Sequence, residues 1–408
     1  GSVSWSNIGK AGARFRLYPP GFVFDVAGMS AFAPDEKTRL NLLGYLNAPI
    51  VGAALDVLAP TLNYQVGDVA RLPVPDLASA SDDSRVREMI DISRERWASQ
   101  ETARGFVANP LLSYAPLSLE HAVSQHLHEL AVRQDRLNEL EAESSRYWLD
   151  TIRTATGVNP EMPLPGPLDD AGVPTAGDLI EDLVSYSVGC MFGRYSIDSP
   201  GPILGNAGDT LADYARRIPE ARFLPDADNV IPIVDGDWFE DDIVVRFRQF
   251  LATAFGDAHL ESNLRFVVDS LGVKDLRAYF LRSLYKQHWR RYRKRPIYWL
   301  FSSPNGSFNA LIYLHRYNPS TISTVLNEYL REYRAKLEAH LGHLERSGAG
   351  REAARTRSIL VELEAYERQT LYPLAAKQVE MDLDDGVRKN YAGLGAALAH
   401  IPGLVKED

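Results

Sequence analysis

The feature that most restricts the fold is the stretch from Ser118 to Thr156, where Leu119, Val123, Leu127, Leu130, Leu137, Leu140 and Trp148 recur at helical spacing. A periodicity sustained that long predicts one rod-like helix, and such a rod must find other helices to cover its apolar stripe. A second long pattern starts at Thr321, with Ile322, Val325, Leu326, Tyr329, Leu330, Tyr333, Leu337 and Leu341 on one face. It breaks at Gly348-Ala349-Gly350 and resumes to about Leu383, which predicts a helical hairpin. Shorter helices are predicted over Asp35–Leu58, Ser84–Phe106, Asp178–Phe192, Thr210–Arg217, from about Asp241, and over Lys274–Arg293.

Strand patterns are few. "ARFRLY" and "GFVFDV" alternate on either side of Pro19-Pro20-Gly21, and "PIYWLF" and "FNALIYLHRY" flank the turn "SSPNGS", which predicts a β-hairpin. The expected class is therefore α+β and mainly α: a small β-containing module, long helical hairpins, and a helical body carrying a β-hairpin. Prolines 73 and 75 close the first module, and the Pro- and Gly-rich stretch 157–178 is a loop. The expected domains are 1–77, a helical spacer 78–158, and 159–408 with a basic hairpin region at about 274–317.

A chain of 408 residues can bury a core without staples, and its single cysteine, Cys190, excludes an internal disulfide and fits a reducing cytoplasm. Gly1-Ser2 resembles a protease-cleavage scar, so that Val3 is expected to lie inside a longer protein. The most apolar run, Leu40–Pro60, contains Asn41, Asn47, Pro49 and Asp56, which suits a core helix and not a membrane span.

Charge is unevenly spread. The whole chain carries −10, yet between Leu276 and Asn327 there is no Asp or Glu, while Arg277, Arg282, Lys286, Arg290, Arg291, Arg293, Lys294, Arg295 and Arg316 supply nine positive charges, leaving −19 elsewhere. A cationic segment interleaved with Tyr292, Tyr298 and Trp299 points to a polyanion, because neutralised phosphates release counterions and rings pack beside them. Against this stands the plain alternative that the hairpin's aromatics face a core and the charges form a wet helix face.

No motif for catalysis is found. The sequence lacks a Walker-type phosphate loop, HExxH, paired CxxC and Gly-x-Ser-x-Gly. His121, His126 and His128 with Glu120 and Glu129 lie on one helix, but a structural zinc site needs four converging ligands. "DLDDGVRKNYAG" fails as a calcium loop, since Gly386 falls at its fifth position and Gly393 at its twelfth. "DGDWFEDD" reads as a helix start whose acids suit the positive N-terminus. No catalytic and no metal-binding residue is assigned.

Resemblance adds to this. "VSWSNIGKAGARFRLYPPGFVFDVAGMSAF" followed by "LLGYLNAPIVGAALDVLAPTLNYQVGDVARLPVP" resembles the end of the target-recognition region of large adenine-specific DNA methyltransferases, including the type IIG restriction-modification group. "SVGCMFGRYSID", "KRPIYWLFSSPNGSFNALIYLHRY" and "DLDDGVRKNY" are similar to the C-terminal half of the PglX branch, the methyltransferases of BREX phage-defence systems. The resemblance implies methyl transfer from S-adenosylmethionine to a flipped adenine held by an Asn-Pro-Pro-Tyr/Phe motif. That motif is not in this sequence, so the catalytic domain is expected upstream of Val3 and this chain should be inactive alone, with no cofactor of its own. Recognition of double-stranded DNA is the role left. Lys10, Arg14 and Arg16 near the start, and Lys286, Gln287, Arg290, Arg291, Arg293, Lys294, Arg295 and Asn305 later, are the candidate contacts, arginine suiting guanine and Asn or Gln suiting adenine. The alternative is a protein-interaction module that docks the N-terminal methyltransferase domain or other BREX proteins. A cytoplasmic protein without membrane contact is expected.

Overall fold

A computed structural model describes residues 1–8, 13–61, 63–157 and 172–405. It is mainly helical, as the patterns predict, and the described residues form two three-stranded antiparallel sheets. The run "GFVFDV" expected as a strand is irregular, and the strand that follows it is Gly28–Ala31. The chain forms two compact units. One comprises Gly1–Trp97 and Leu127–Val173, the other Ala98–His126 and Pro174–Asp408.

In the first unit β1 (Ser2–Ser6) lies between β2 (Phe15–Tyr18) and β3 (Gly28–Ala31). The register sets Trp5 opposite Phe15 and Met29, and Val3 opposite Leu17 and Ala31, so one face is wholly apolar and packs on the core. Alternation sends Ser2, Ser4, Arg16, Tyr18 and Ser30 to the other face. The single helix predicted over 35–58 is two, Glu36–Leu46 and Pro49–Leu58, bent by 68°. Pro49 is the cause: it lacks the N–H that would continue the first helix, and its fixed φ suits the first turn of a new one. Among the described residues no single helix is long and apolar enough to cross a membrane. This bent pair reaches that length only in sum, and Leu40, Leu43, Tyr45, Leu46, Val51 and Leu55 are buried in the core.

The predicted helix 84–106 ends at Ala98, whereas Leu119–Thr156 forms within one residue of expectation. A buried polar network ties these helices together. Asn41 donates to the Leu77 and Ala80 carbonyls and accepts from the Asp82 amide. Asp82 is fully buried and accepts from Trp148 Nε1 at 2.8 Å, Ser144 Oγ at 2.5 Å and Arg85 Nε at 2.7 Å. Three donors thus converge on this carboxylate, as a buried charge requires. Gly44 leaves the space for it, since a Cβ there would lie 2.5 Å from Asp82 Oδ2.

In the second unit β4 (Val230–Pro232) pairs with β6 (Asn309–Tyr313), which pairs with β5 (Tyr298–Ser302). The β5–β6 hairpin is the one predicted; β4 was not foreseen, being only three residues long. The helix Ala176–Met191 is buried along nearly all its length, and Ile243–Phe255 and Leu260–Leu271 pack with it. Continuous helical runs cover 276–291, 321–347 and 350–377, each interrupted by a π-helical segment: Phe280–Leu284, Val325–Leu330 and Glu367–Leu371. The last run stops at Lys377, short of the expected Leu383, where Gln378 takes a left-handed conformation.

Asp82→Ala should cost about 3 kcal/mol of stability, because it orphans a buried indole N–H and a buried serine hydroxyl and removes the Arg85 partner. Chemical denaturation monitored by tryptophan fluorescence measures this. Gly44→Ala should destabilise in the same assay through steric overlap alone.

Candidate nucleic-acid interface

The nine cations between Leu276 and Asn327 do not form one shelf. Three are held inside the second unit. Arg277 donates to Asp242 at 2.8 Å, to Asp237 at 2.6 Å and to the Val234 carbonyl at 2.7 Å. Arg291 meets Asp182 at 2.6 Å and the buried Glu101 at 3.5 Å. Arg316 donates to the backbone carbonyls of Phe192 and Ala227. Partial burial pushes the Asp182 carboxyl up and Arg291 pulls it back down. Arg291 is therefore corrected from a DNA contact to an internal ion pair.

The other six remain outside. Arg282, Lys286, Arg290, Arg293, Lys294 and Arg295 are exposed, and their side chains make no hydrogen bond or ion pair with any described residue. Arg282, Lys286 and Arg290 recur every fourth residue and so share one side of the helical run 276–291. Like charges at that spacing repel by roughly 0.2–0.5 kcal/mol per pair, a penalty no internal partner offsets. Cations near a helix C-terminus are favoured by the dipole, which accounts for Arg290 and its followers but not for Arg282 or Lys286.

The helix end has an unusual geometry. Lys294 N–H donates to the Trp289 carbonyl at 2.7 Å and Arg293 N–H to the Arg290 carbonyl at 2.9 Å. This is the pair of bonds of a Schellman cap, whose left-handed residue is ordinarily glycine. Here arginine occupies it with φ +51°, and Lys294 follows with φ +61°. Each left-handed non-glycine residue costs roughly 1–2 kcal/mol. On the far side of the turn, buried His288 accepts at Nε2 from the amides of Ile297 at 3.2 Å and Tyr298 at 3.1 Å. Burial, with Arg194 and Arg291 nearby, holds its imidazole pKa well below the usual value, so it is neutral and this nitrogen stays an acceptor.

The hairpin itself is core. Tyr298 and Trp299 are buried, and Tyr292 donates to Glu101 at 2.9 Å, so these rings pack internally and do not offer a stacking platform. Gln287, expected as an adenine reader, has its amide engaged by Tyr279 and Glu181. Asn305 is exposed at the turn, and its backbone N–H donates to Glu362, which also accepts from Ser303 and Ser307 and clamps the whole turn.

In the first unit Lys10 lies outside the described residues. Arg14 and Arg16 line a groove of about 860 Å³ on the outer sheet face, with Ser2, Ser4, Ser30, Tyr18 and the loop Phe22–Asp25. Ser4 and Ser30 hydroxyls are bonded at 2.6 Å on its floor. That loop and the residues after it expose an apolar cluster: Val23 is 95% and Val26 84% exposed, with Phe22, Phe24 and Phe32 at least half-exposed.

Among the described residues no group of three or more His, Cys, Asp or Glu is arranged to hold a metal ion. His121 bonds Ser118 Oγ and His126 bonds Tyr114, the capping and packing roles. Asp228 and Asp241 both accept from Tyr329, at 2.9 and 2.7 Å, and Asp226 beside them is pushed up to about 7 by burial and by Asp228. The unfolded carboxyl titrates near 4, so the folded protein pays for ionising Asp226 as pH rises from 4 through 7.

Two measurements follow from this partition. Arg291→Ala should lower stability by about 3 kcal/mol, while Arg290→Ala should stay within about 0.5 kcal/mol, both read by denaturant unfolding. Asp226→Asn should raise the melting temperature more at pH 8 than at pH 5, because it removes a penalty present only when the carboxyl is ionised.

No family model matches the chain. Two curated relatives do. It is 33% identical over 421 residues to the adenine-specific methyltransferase PglX of Lacticaseibacillus casei (strain Zhang), covering 96% of this chain and 34% of that protein. It is 30% identical over 447 residues to the adenine-specific methyltransferase BrxX of Escherichia coli O9:H4 (strain HS), covering 98% of this chain and 36% of that protein. Along nearly its entire length, then, this chain is related to about one third of the PglX and BrxX adenine-specific methyltransferases.

Proposed function

We propose that this chain is a DNA-recognition and structural region of a BREX-type adenine-specific methyltransferase acting in phage defence in the cytoplasm. Methyl transfer and S-adenosylmethionine belong, in this reading, to a part of such a protein outside this sequence, which contains no Asn-Pro-Pro-aromatic motif. The observation that carries the reading is the set of six exposed cations from Arg282 to Arg295, which make no hydrogen bond or ion pair with any described residue, in a chain whose net charge is −10. They suit duplex phosphates, which supply affinity and register; sequence would be read by other side chains that reach base edges. Arg14 and Arg16 are candidates for a second contact.

A second reading rests on the apolar cluster Phe22, Val23, Phe24, Val26 and Phe32, which suits a protein surface such as the methyltransferase domain of the parent protein.

The double variant Lys286→Glu/Arg290→Glu should weaken binding to a short fluorescent duplex at least tenfold with an unchanged melting temperature. Equal affinity of the variant and the parent chain in an anisotropy titration would rule out the DNA reading of this face.

A further inference from the structure

We propose that the turn Arg293–Lys294–Arg295 is a preset phosphate clamp, kept in a left-handed geometry at the expense of stability, with His288 as its positioning residue. The inference rests on the DNA reading and adds how one part of that face is built.

The argument begins with the cap. The hydrogen bonds Lys294 N–H to Trp289 and Arg293 N–H to Arg290 are made by the backbone, so glycine at 293 and 294 would form the same cap without strain. The helix dipole does not require charge at these two positions, because Arg290 and Arg295 already stand at that end in ordinary conformations. Internal bonding does not require them either: both side chains are exposed and make no hydrogen bond or ion pair with a described residue, Lys294 Nζ only resting beside Gly403. What the two long cations add is charge at a fixed place.

The turn is fixed at both ends. Its N-terminal side is closed by the cap, and Arg295 N–H donates to Tyr292 at 2.9 Å. Its C-terminal side runs into buried Pro296 and then into the two amides that His288 Nε2 accepts. The His288 ring lies 4.8 Å from Tyr292 and 4.7 Å from Tyr298, which packs it between the helix end and the strand start. The backbone beneath three cations is thus ordered on folding, and little ordering remains to be done when a phosphate binds. Strain retained where the surroundings over-determine it is a mark of a functional turn.

The test uses Arg293→Gly, Lys294→Gly, their double variant, and Arg293→Ala, in which the strain stays and the charge goes. Melting temperature and duplex affinity across a salt series are read on the full chain. The clamp predicts that each glycine variant melts about 2 °C or more above the parent and that Arg293→Ala does not. It also predicts that the glycine double variant binds duplex at least fivefold more weakly, with a shallower salt dependence. His288→Gln, which keeps an acceptor, should retain parental affinity, while His288→Phe should lose affinity and salt slope without losing any charge. Glycine variants no more stable than the parent overturn the strain, and a glycine double variant with parental affinity and slope overturns the clamp while leaving the DNA reading standing. A parent chain that binds no duplex overturns the DNA reading and the clamp together, whatever the melting temperatures show.

Discussion

Much of the second unit depends on one buried carboxylate. Glu101 is nearly inaccessible and gathers the hydroxyls of Ser185 and Tyr292 and the guanidinium of Arg291. A buried negative charge that lost these partners would be severely destabilising, so the helix Ala176–Met191, the end of the helical run 276–291 and the segment around Glu101 are held in one arrangement. That arrangement decides the fate of the cationic segment. Turning Arg291 and Tyr292 inward sends Lys286, Arg290 and the following turn outward. The hairpin that comes next is then core, with Trp299 and Phe301 fully buried.

The same division explains how much could be read from residue order. The helix Leu119–Thr156 was legible because its apolar spacing is local and long, and the β5–β6 hairpin because Pro-Asn-Gly sits between two β-branched and aromatic runs. The break at Asn47–Ala48 was also written locally, in Pro49, but the apolar run on both sides masked it. The sorting of nine cations into three internal and six external was not legible. It depends on Glu101, Asp182 and Asp242, which lie between 35 and 190 residues away from their partners. One signal was available and missed: a helix ending in Arg-Lys-Arg-Pro without a glycine implies a left-handed cap made by cations.

For the candidate site, the outcome is narrower than the sequence suggested and better defined. Gln287, Tyr292, Tyr298 and Trp299 are internal, Asn305 sits on a turn clamped by Glu362, and Arg291 is structural. What stays is a short row of exposed cations and the turn that ends it. In the other unit, the serine-floored groove with Arg14 and Arg16 and the exposed Val23 and Val26 form a surface of different character, where apolar side chains stand beside polar ones. A charged face and an apolar face on separate units suit a region that serves both nucleic acid and protein contacts.

The central claim, that six exposed cations form a phosphate-binding face, is tested most directly by duplex affinity as a function of salt. Each neutralised phosphate contributes roughly −0.9 to the slope of log K against log salt concentration. Full use of the face predicts a slope of about −5, with binding lost well below molar salt. A slope near zero, or no binding even at low ionic strength, would contradict it.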